Sequence, residues 1–249
     1  MSYIELETSD GIATVSLVRG KVNALNGAVV AELRNCLEEL EADPEVRAVV
    51  LTGRGRFFSF GFDIPEFLTF SKEEFTAYLV AFSGLCTYLF LYPKPVVAAL
   101  NGHAIAGGCM LALACDGRVM AVGKAKISLN EIPFGSTVFA GSTEMLRFWV
   151  GSAAATKILF SGAMISAEEA RNLGLVEEFE PEKTVVNRAR RVATDLGSRP
   201  ASAFANIKAL LRRPVIEEMR GREQESIREF VEIWYSAATW AKLQEIRIR

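Results

Sequence analysis

Three short apolar runs constrain this chain most: Val46 to Leu51, Val96 to Leu100 and Gly117 to Val122. Each is too short for a buried helix and lies near a glycine or proline, so each reads as a strand inside a core. Between them the apolar spacing changes to three and four. Val30, Leu33, Leu37 and Leu40 share one helical face behind Asn26, a residue suited to an amino-terminal cap. Ser71 and Glu74 form a capping box for a longer helix through Leu91, which Pro93 and Pro95 end. Strands alternating with helices dictate an α/β layer fold.

The rest of the chain extends that pattern. Ile4 to Glu7 and Ile12 to Val18 alternate around Asp10-Gly11 as a β-hairpin. Asp63, with Pro65 and Glu66 behind it, starts a short capped helix. Asn101-Gly102 turns the chain, Gly107-Gly108 opens an apolar helix to Cys115, and Ala125 to Leu129 reads as another strand. Beyond Pro133 the pattern is helical, with a capping box at Ser166 and Glu169 and one late strand at Leu175 to Phe179. Phe204, Leu210, Ile216, Ile227, Phe230 and Trp234 are the expected apolar anchors of the closing helices.

Composition removes several classes of function. The 28 basic and 30 acidic residues of this 249-residue chain give a net charge of −2, which favours neither nucleic acid nor a membrane surface. Cys36, Cys86, Cys109 and Cys115 lie in apolar stretches without CxxC spacing and read as free thiols of a reducing compartment. The amino terminus lacks a signal-peptide pattern and the carboxyl-terminal Arg247-Ile248-Arg249 is no peroxisomal address. No apolar run reaches the ~18–20 residues of a membrane span, so the expected compartment is the cytoplasm. One histidine, His103, rules out metal sites built on several histidines, and no Gly-x-Ser-x-Gly elbow accompanies it. His103 reads as structural or pocket-lining. Gly53-Arg54-Gly55 lacks the third glycine of a dinucleotide fingerprint, and Gly108-Cys109 stand where a P-loop needs Lys-Ser/Thr.

Two glycine turns remain. Phe58-Ser59-Phe60-Gly61-Phe62-Asp63 and Asn101-Gly102-His103-Ala104-Ile105-Ala106-Gly107-Gly108 each lead into a helix. Each can present a backbone N–H where a helix begins, and two such donors aimed at one carbonyl oxygen make an oxyanion hole. Together with Asn23-Ala24-Leu25, Arg56-Phe57-Phe58-Ser59-x-Gly61-x-Asp63, Lys94-Pro95-Val96-Val97-Ala98-Ala99-Leu100-Asn101-Gly102, Ala106-Gly107-Gly108-Cys109 and Ala114-Cys115-Asp116, in this order and spacing, the chain resembles the crotonase superfamily of enoyl-CoA hydratases and isomerases. The resemblance covers nearly the whole length.

It implies an α/β crotonase-type spiral of repeated β-β-α units with a helical carboxyl-terminal region. Residues 1–195 would form the core with a coenzyme A thioester site, and 196–249 a helical region for packing and trimerisation. The implied ligand is an acyl-CoA thioester, with coenzyme A as part of the substrate and no separate cofactor or metal, and the implied assembly is a homotrimer or dimer of trimers. By position, the oxyanion-hole donors would be Phe62 and Gly107. Lys21, Val22 and Ala24, with Phe60, Asp63 and Ile64, would flank the coenzyme A; Lys21 either meets its phosphates or stays solvated, and Asp63 also reads as a plain helix cap. Gly108, Met110 and Phe134 complete the implied substrate-binding set. Among the aromatics, Phe60, Phe67, Phe75, Tyr78, Phe82 and Phe134 are candidates for an acyl pocket or for core.

The family's hydratases carry one glutamate in the helix after the second donor and another about twenty residues on. Here the first position is Met110, either apolar wall or core. The second falls in Ile127-Ser128-Leu129-Asn130-Glu131-Ile132-Pro133-Phe134-Gly135, which resembles the Leu-Asn-Glu stretch of Δ3,Δ2-enoyl-CoA isomerases. Alignment on Gly135 makes Glu131 the catalytic carboxylate; alignment on Pro133 would place Lys126 there. Hydration needs two acid/base groups, whereas moving a double bond from C3 to C2 needs one base that takes a proton from C2 and returns it at C4. A single carboxylate and an oxyanion hole fit the second task; the alternatives are another crotonase-type reaction, such as hydration or hydrolysis of the thioester, or acyl-CoA binding without catalysis.

Overall fold

The hairpin opens the fold as expected: β1 (Ile4–Ser9) pairs antiparallel with β2 (Ile12–Leu17), and Asp10 and Gly11 turn the chain at φ 55° and 75°. In the computed structural model, which describes residues 2–246, α1 (Gly27–Ala42) follows, with the Val29 N–H donating to the Asn26 side chain. A unit of two strands and a helix then repeats. It runs first through β3 (Ala48–Gly53), β4 (Phe57–Ser59), the short α2 (Ile64–Phe67) and α3 (Lys72–Leu91). The second pass is β5 (Val96–Leu100), β6 (His103–Ile105) and α4 (Gly107–Ala114); the third is β7 (Gly117–Ala121), β8 (Ile127–Ser128) and α5 (Ala140–Ser161). Next come α6 (Ala167–Asn172), β9 (Glu178–Glu180), α7 (Val185–Gly197), α8 (Ala201–Trp234) and α9 (Ala237–Gln244).

The first strand of each unit enters one sheet and the second strand another. The larger sheet is six-stranded, in the order β1-β2-β3-β5-β7-β9, and all its neighbours from β2 onward are parallel. The smaller is three-stranded and parallel, β4-β6-β8. This winding is the expected α/β spiral with a helical end. Strands β3, β5 and β7 are buried throughout, which is why they read as unbroken apolar runs instead of alternating ones. α7 lies across β2, β3, β5, β7 and β9, and α8 packs on α3 and α5.

Several motif residues turn out to be staples of this winding. The Asn101 side chain accepts from the Gly53 N–H at 3.1 Å and donates to the Gly55 carbonyl at 2.9 Å, tying the two sheets at the crossover. Asn23, at φ 50°, donates to the carbonyls of Arg54 and Phe57. The half-buried Asp116 meets the buried Lys208 at 2.7 Å and the buried Arg212 at 3.0 Å, and so anchors α8 to the end of α4. Gly102 has no substitute, because a Cβ there would lie 1.9 Å from the Arg56 carbonyl oxygen.

The structure departs from the sequence reading in four places. β4 and β6 have three residues each, and β8 only two instead of the expected five; strands this short carry no periodicity to read. The late strand lies at Glu178–Glu180 instead of Leu175 to Phe179. Leu210 is not an anchor: it is 67% exposed, as are its neighbours Ile207 (59%) and Leu211 (61%), while Ile216, Ile227, Phe230 and Trp234 are buried as expected. The helix turns a second apolar stripe outward there. Finally, α3 is long and apolar enough to span a bilayer by composition alone, against the reading that no stretch reaches that length. Half of that stretch is buried, with Phe75, Leu79, Phe82, Cys86 and Leu89 in the core, so the apolar content belongs to a central helix.

The four cysteines are free, three of them buried, and burial raises each thiol above its ordinary range.

Candidate active site

The carboxyl ends of the three parallel strands of the small sheet deliver the three segments that matter. β4 runs into Phe60 to Asp63, β6 into Ala106-Gly107, and β8 into Asn130-Glu131. Neighbouring parallel strands end side by side, so residues far apart in sequence meet at one edge. The Ala106 N–H donates to the Ser128 carbonyl at 2.8 Å, fixing the second segment against the third.

The two glycine turns abut. Gly61 sits at φ 89°, and a Cβ on it would fall 2.7 Å from the Ile105 carbonyl oxygen and 3.0 Å from the Gly107 nitrogen. A Cβ on Gly107 would lie 2.8 Å from the Phe62 ring. Only glycine permits this approach. Val22 and Leu25 pair with Phe60 to Asp63: the Phe60 N–H donates to the Val22 carbonyl at 2.9 Å, Leu25 N–H to the Gly61 carbonyl at 2.8 Å, and Asp63 N–H to the Leu25 carbonyl at 3.1 Å. Successive amides along an extended segment point to opposite sides, which turns the Phe62 N–H away from Leu25. Gly107 opens α4, where the first amides have no helical acceptor. Ala106 before it is held at φ 49°, a left-handed conformation that is costly for alanine. Strain of this kind is kept where surrounding contacts over-determine it, as the close approach of Gly61 to the Gly107 nitrogen does here.

Beside this turn lies an apolar cavity with about 630 Å³ of empty space, part of it open to solvent. Phe60, Phe62, Ile64, Ile105 and Ala106 form one wall. Asn130, Glu131, Phe134 and Ser136 form a second, and Phe230, Trp234, Leu243 and Ile246 close it from α8 and the carboxyl-terminal segment. Glu131 is the one carboxylate on these walls among the described residues. Its Oε2 atom is out of contact with solvent and has no hydrogen-bond partner among the described residues. Burial therefore pushes its carboxyl up to about 8 from an ordinary 4.5, with its own backbone N–H opposing the shift weakly. The backbone around it is tight: the Glu131 carbonyl accepts from the N–H groups of Phe134 and Ser136, both at 3.1 Å, in a turn closed by Gly135 at φ 74°.

A second, solvent-open groove is lined by Arg19, Gly20, Lys21, Val22, Ala24, Asp63 and Pro65. The segment Phe62 to Pro65 separates it from the cavity, so one strand end serves both. Lys21 is exposed, whereas Arg19 is held by Asp63 at 2.5 Å and Glu66 at 3.0 Å. Asp63 caps α2 through the Glu66 N–H. Thus Phe60, Phe62, Ile64, Glu131 and Phe134 line the cavity, and Lys21, Val22, Ala24 and Asp63 line the groove beside it. Gly107 and Gly108 are buried at the amino terminus of α4, Gly108 so close to β4 that a Cβ would fall 2.4 Å from the Ser59 carbonyl oxygen. Met110 lies in the core, and the Ser142 hydroxyl donates to its sulfur at 3.2 Å. It is outside the cavity wall, as are the core aromatics Phe67, Phe75, Tyr78 and Phe82. Lys126 and His103 also lie off the cavity; His103 pairs across β4 and its ring sits 5.1 Å from that of Phe57.

Sequence reasoning did not pick out Asn130, Ser136 or Trp234 as cavity residues. The sequence marks Trp234 only as an apolar anchor of its helix, and no pattern along that helix tells which core ring borders a cavity.

A family model described as enoyl-CoA hydratase/isomerase matches residues 7–237. The chain belongs to this family. It is 35% identical over 214 residues to a probable enoyl-CoA hydratase of Bacillus subtilis, covering 85% of this chain and 82% of the relative. It is 33% identical over 215 residues to a short-chain-enoyl-CoA hydratase of Clostridium acetobutylicum, covering 86% and 82%. Among solved structures, human mitochondrial Δ3,Δ2-enoyl-CoA isomerase superposes with a TM-score of 0.93 at 28% identity, over 98% of this chain and 96% of that one. The protein is therefore an enzyme of the enoyl-CoA hydratase/isomerase family, with crotonase-type activity on enoyl-CoA thioesters.

Proposed function

We propose that within this family the protein is an isomerase, which moves a double bond of an acyl-CoA thioester from C3 to C2. The observation that carries the reading is that Glu131 is the single carboxylate on the cavity wall among the described residues, its Oε2 buried there without a hydrogen-bond partner. The thioester carbonyl oxygen lies between the N–H groups of Phe62 and Gly107. Glu131, as carboxylate, takes a proton from C2; the electron pair moves onto the carbonyl oxygen, and the two N–H groups stabilise the enolate. Glu131, now a neutral acid shielded from water, returns the proton at C4, and the electrons of the dienolate close the C2–C3 double bond. A carboxyl held at about 8 is a far stronger base than a solvated one, and the apolar wall keeps its proton from exchanging before it is delivered. The coenzyme A moiety runs along the groove of Lys21, Val22, Ala24 and Asp63.

Hydration, the activity named in the curated relatives above, needs a second acid/base group. Position 110, which the family resemblance associates with that role, is a core methionine bonded to Ser142. The test compares formation of 2-enoyl-CoA from the 3-isomer with hydration of 2-enoyl-CoA, in wild type and Glu131→Gln. Isomerisation well above hydration, and its loss in the variant with acyl-CoA affinity retained, is the expected result. Equal rates of the two reactions in wild type would sink the single-carboxylate reading. For the assembly we infer a homotrimer or dimer of trimers, supported by the exposed apolar residues Phe160, Met164, Ile207, Leu210 and Leu211; a monomer in light scattering would refute it.

A further inference from the structure

The turn that carries Glu131 is bonded within itself. The Glu131 carbonyl accepts from the Phe134 and Ser136 N–H groups, and the Ile132 carbonyl from the Gly135 N–H at 2.9 Å, so residues 131–136 move as one unit. One side of that unit packs on the end of α5: a Cβ on Gly162, at φ 56°, would fall 2.7 Å from Pro133 Cδ and 2.9 Å from Ile132 Cγ2. This contact is apolar, and apolar packing is non-directional, so it does not fix how the turn is rotated. Direction comes from α9. The last carbonyls of a helical turn have no partner within it. Here the Thr239 hydroxyl donates to the Gly135 carbonyl at 2.7 Å, and Lys242 Nζ to the Pro133 carbonyl at 3.2 Å. Among the described residues, these two bonds are the ones that tie 131–136 to another element.

Thr239 is itself well held. It is 2% exposed. A hydroxyl has one proton to donate; that of Thr239 goes to Gly135, and its oxygen accepts from the Ser236 hydroxyl at 3.1 Å. Ser236 caps α9, its side chain accepting from the Thr239 N–H. Just before it, the Tyr235 hydroxyl donates to the Phe70 carbonyl at 2.7 Å, and the Tyr235 ring stacks on Trp240. We propose that Thr239, assisted by Lys242, is a positioning residue for Glu131: through the Gly135 carbonyl it sets the rotation of the turn, and with it where the carboxylate meets the substrate. Neither residue lines the cavity, so the effect passes through the turn. A misplacement of ~1 Å at a reacting group costs on the order of a hundredfold in rate. This inference rests on the reading of Glu131 as the base.

The test is steady-state kinetics of the intact protein, in whichever enoyl-CoA reaction wild type catalyses faster, with a thermal melt of each variant. Thr239→Val keeps the branched shape and removes the hydroxyl. It is expected to lower kcat by about ten- to a hundredfold, with KM within about threefold of wild type. Thr239→Ser keeps the hydroxyl and should hold kcat within about threefold of wild type, which a role in packing alone would not produce. Three results overturn the proposal: kcat within about twofold of wild type in folded Thr239→Val, an equal loss in Thr239→Ser, or a change confined to KM. In each case α9 serves only to close the cavity. If Thr239→Val loses its cooperative melt, Lys242→Met decides instead: a kcat lowered about fivefold supports the role, and one within about twofold of wild type overturns it. Glu131→Gln, measured alongside, keeps the two readings apart. Activity retained there refutes the base assignment; activity lost there but unchanged in Thr239→Val refutes the positioning role alone.

Discussion

Replacing Glu131 by glutamine probes the buried carboxylate without any substrate. Burial holds its carboxyl at about 8 in the folded chain, against an ordinary value of 4.5. Between those values the folded chain keeps a proton that the unfolded chain has released. Raising the pH through that window therefore favours unfolding, and stability is lost. Each tenfold step is worth ~1.4 kcal/mol. Integrated over the window, wild type should lose ~3 kcal/mol relative to Glu131→Gln between about pH 5 and pH 8, with the loss flattening above that. Other titrating groups are common to both proteins and cancel in the difference. The assay is denaturant unfolding of both proteins across the pH range at one protein concentration, since self-association contributes to stability. In melting temperature the same change is roughly 6–12 °C in favour of the variant at alkaline pH. Two curves that stay parallel within ~0.5 kcal/mol would mean that the carboxylate is solvated or paired in solution. The strong buried base would then have no basis.

Three further outcomes are expected. On the proposed isomerase mechanism, in which deprotonated Glu131 accepts the C2 proton, kcat/KM for a 3-enoyl-CoA should rise with pH to a plateau above about 8; a plateau already reached at about pH 5 contradicts this. Gly61→Ala forces a Cβ to within 2.7 Å of the Ile105 carbonyl oxygen and 3.0 Å of the Gly107 nitrogen. It should lower kcat ~100-fold or more by displacing the proposed oxyanion-hole donor, with steady-state kinetics and a melt separating that loss from unfolding. Asp116→Ala leaves Lys208 and Arg212 buried without their carboxylate and should destabilise by ~3–5 kcal/mol, read from denaturant midpoints.

Much of the fold was legible because its signals are local. Capping groups at Asn26, Asp63, Ser71 and Ser166 sit where the helices begin, and each accepts the expected backbone N–H. The central strands are buried on both faces and so announce themselves as apolar runs. β4 and β6 escaped because three residues have no period, and their pairing comes only from the crossover that stacks one β-β-α unit on the next.

For the site, the sequence by itself determined which atoms exist: two glycine turns before helices, one carboxylate after β8, and a methionine at position 110. Those depend on residue type and short spacing. Only the tertiary structure decided what they meet. The winding of β4, β6 and β8 sets three strand ends side by side and brings Gly61 against Gly107. The packing of α8 then carries Trp234 onto the cavity wall, nearly a hundred residues from Ser136. Burial is likewise a property of everything packed around a group. The raised titration of Glu131, the core position of Met110 and the outward turn of Leu210 follow from their neighbours in space, which no local pattern along the chain records.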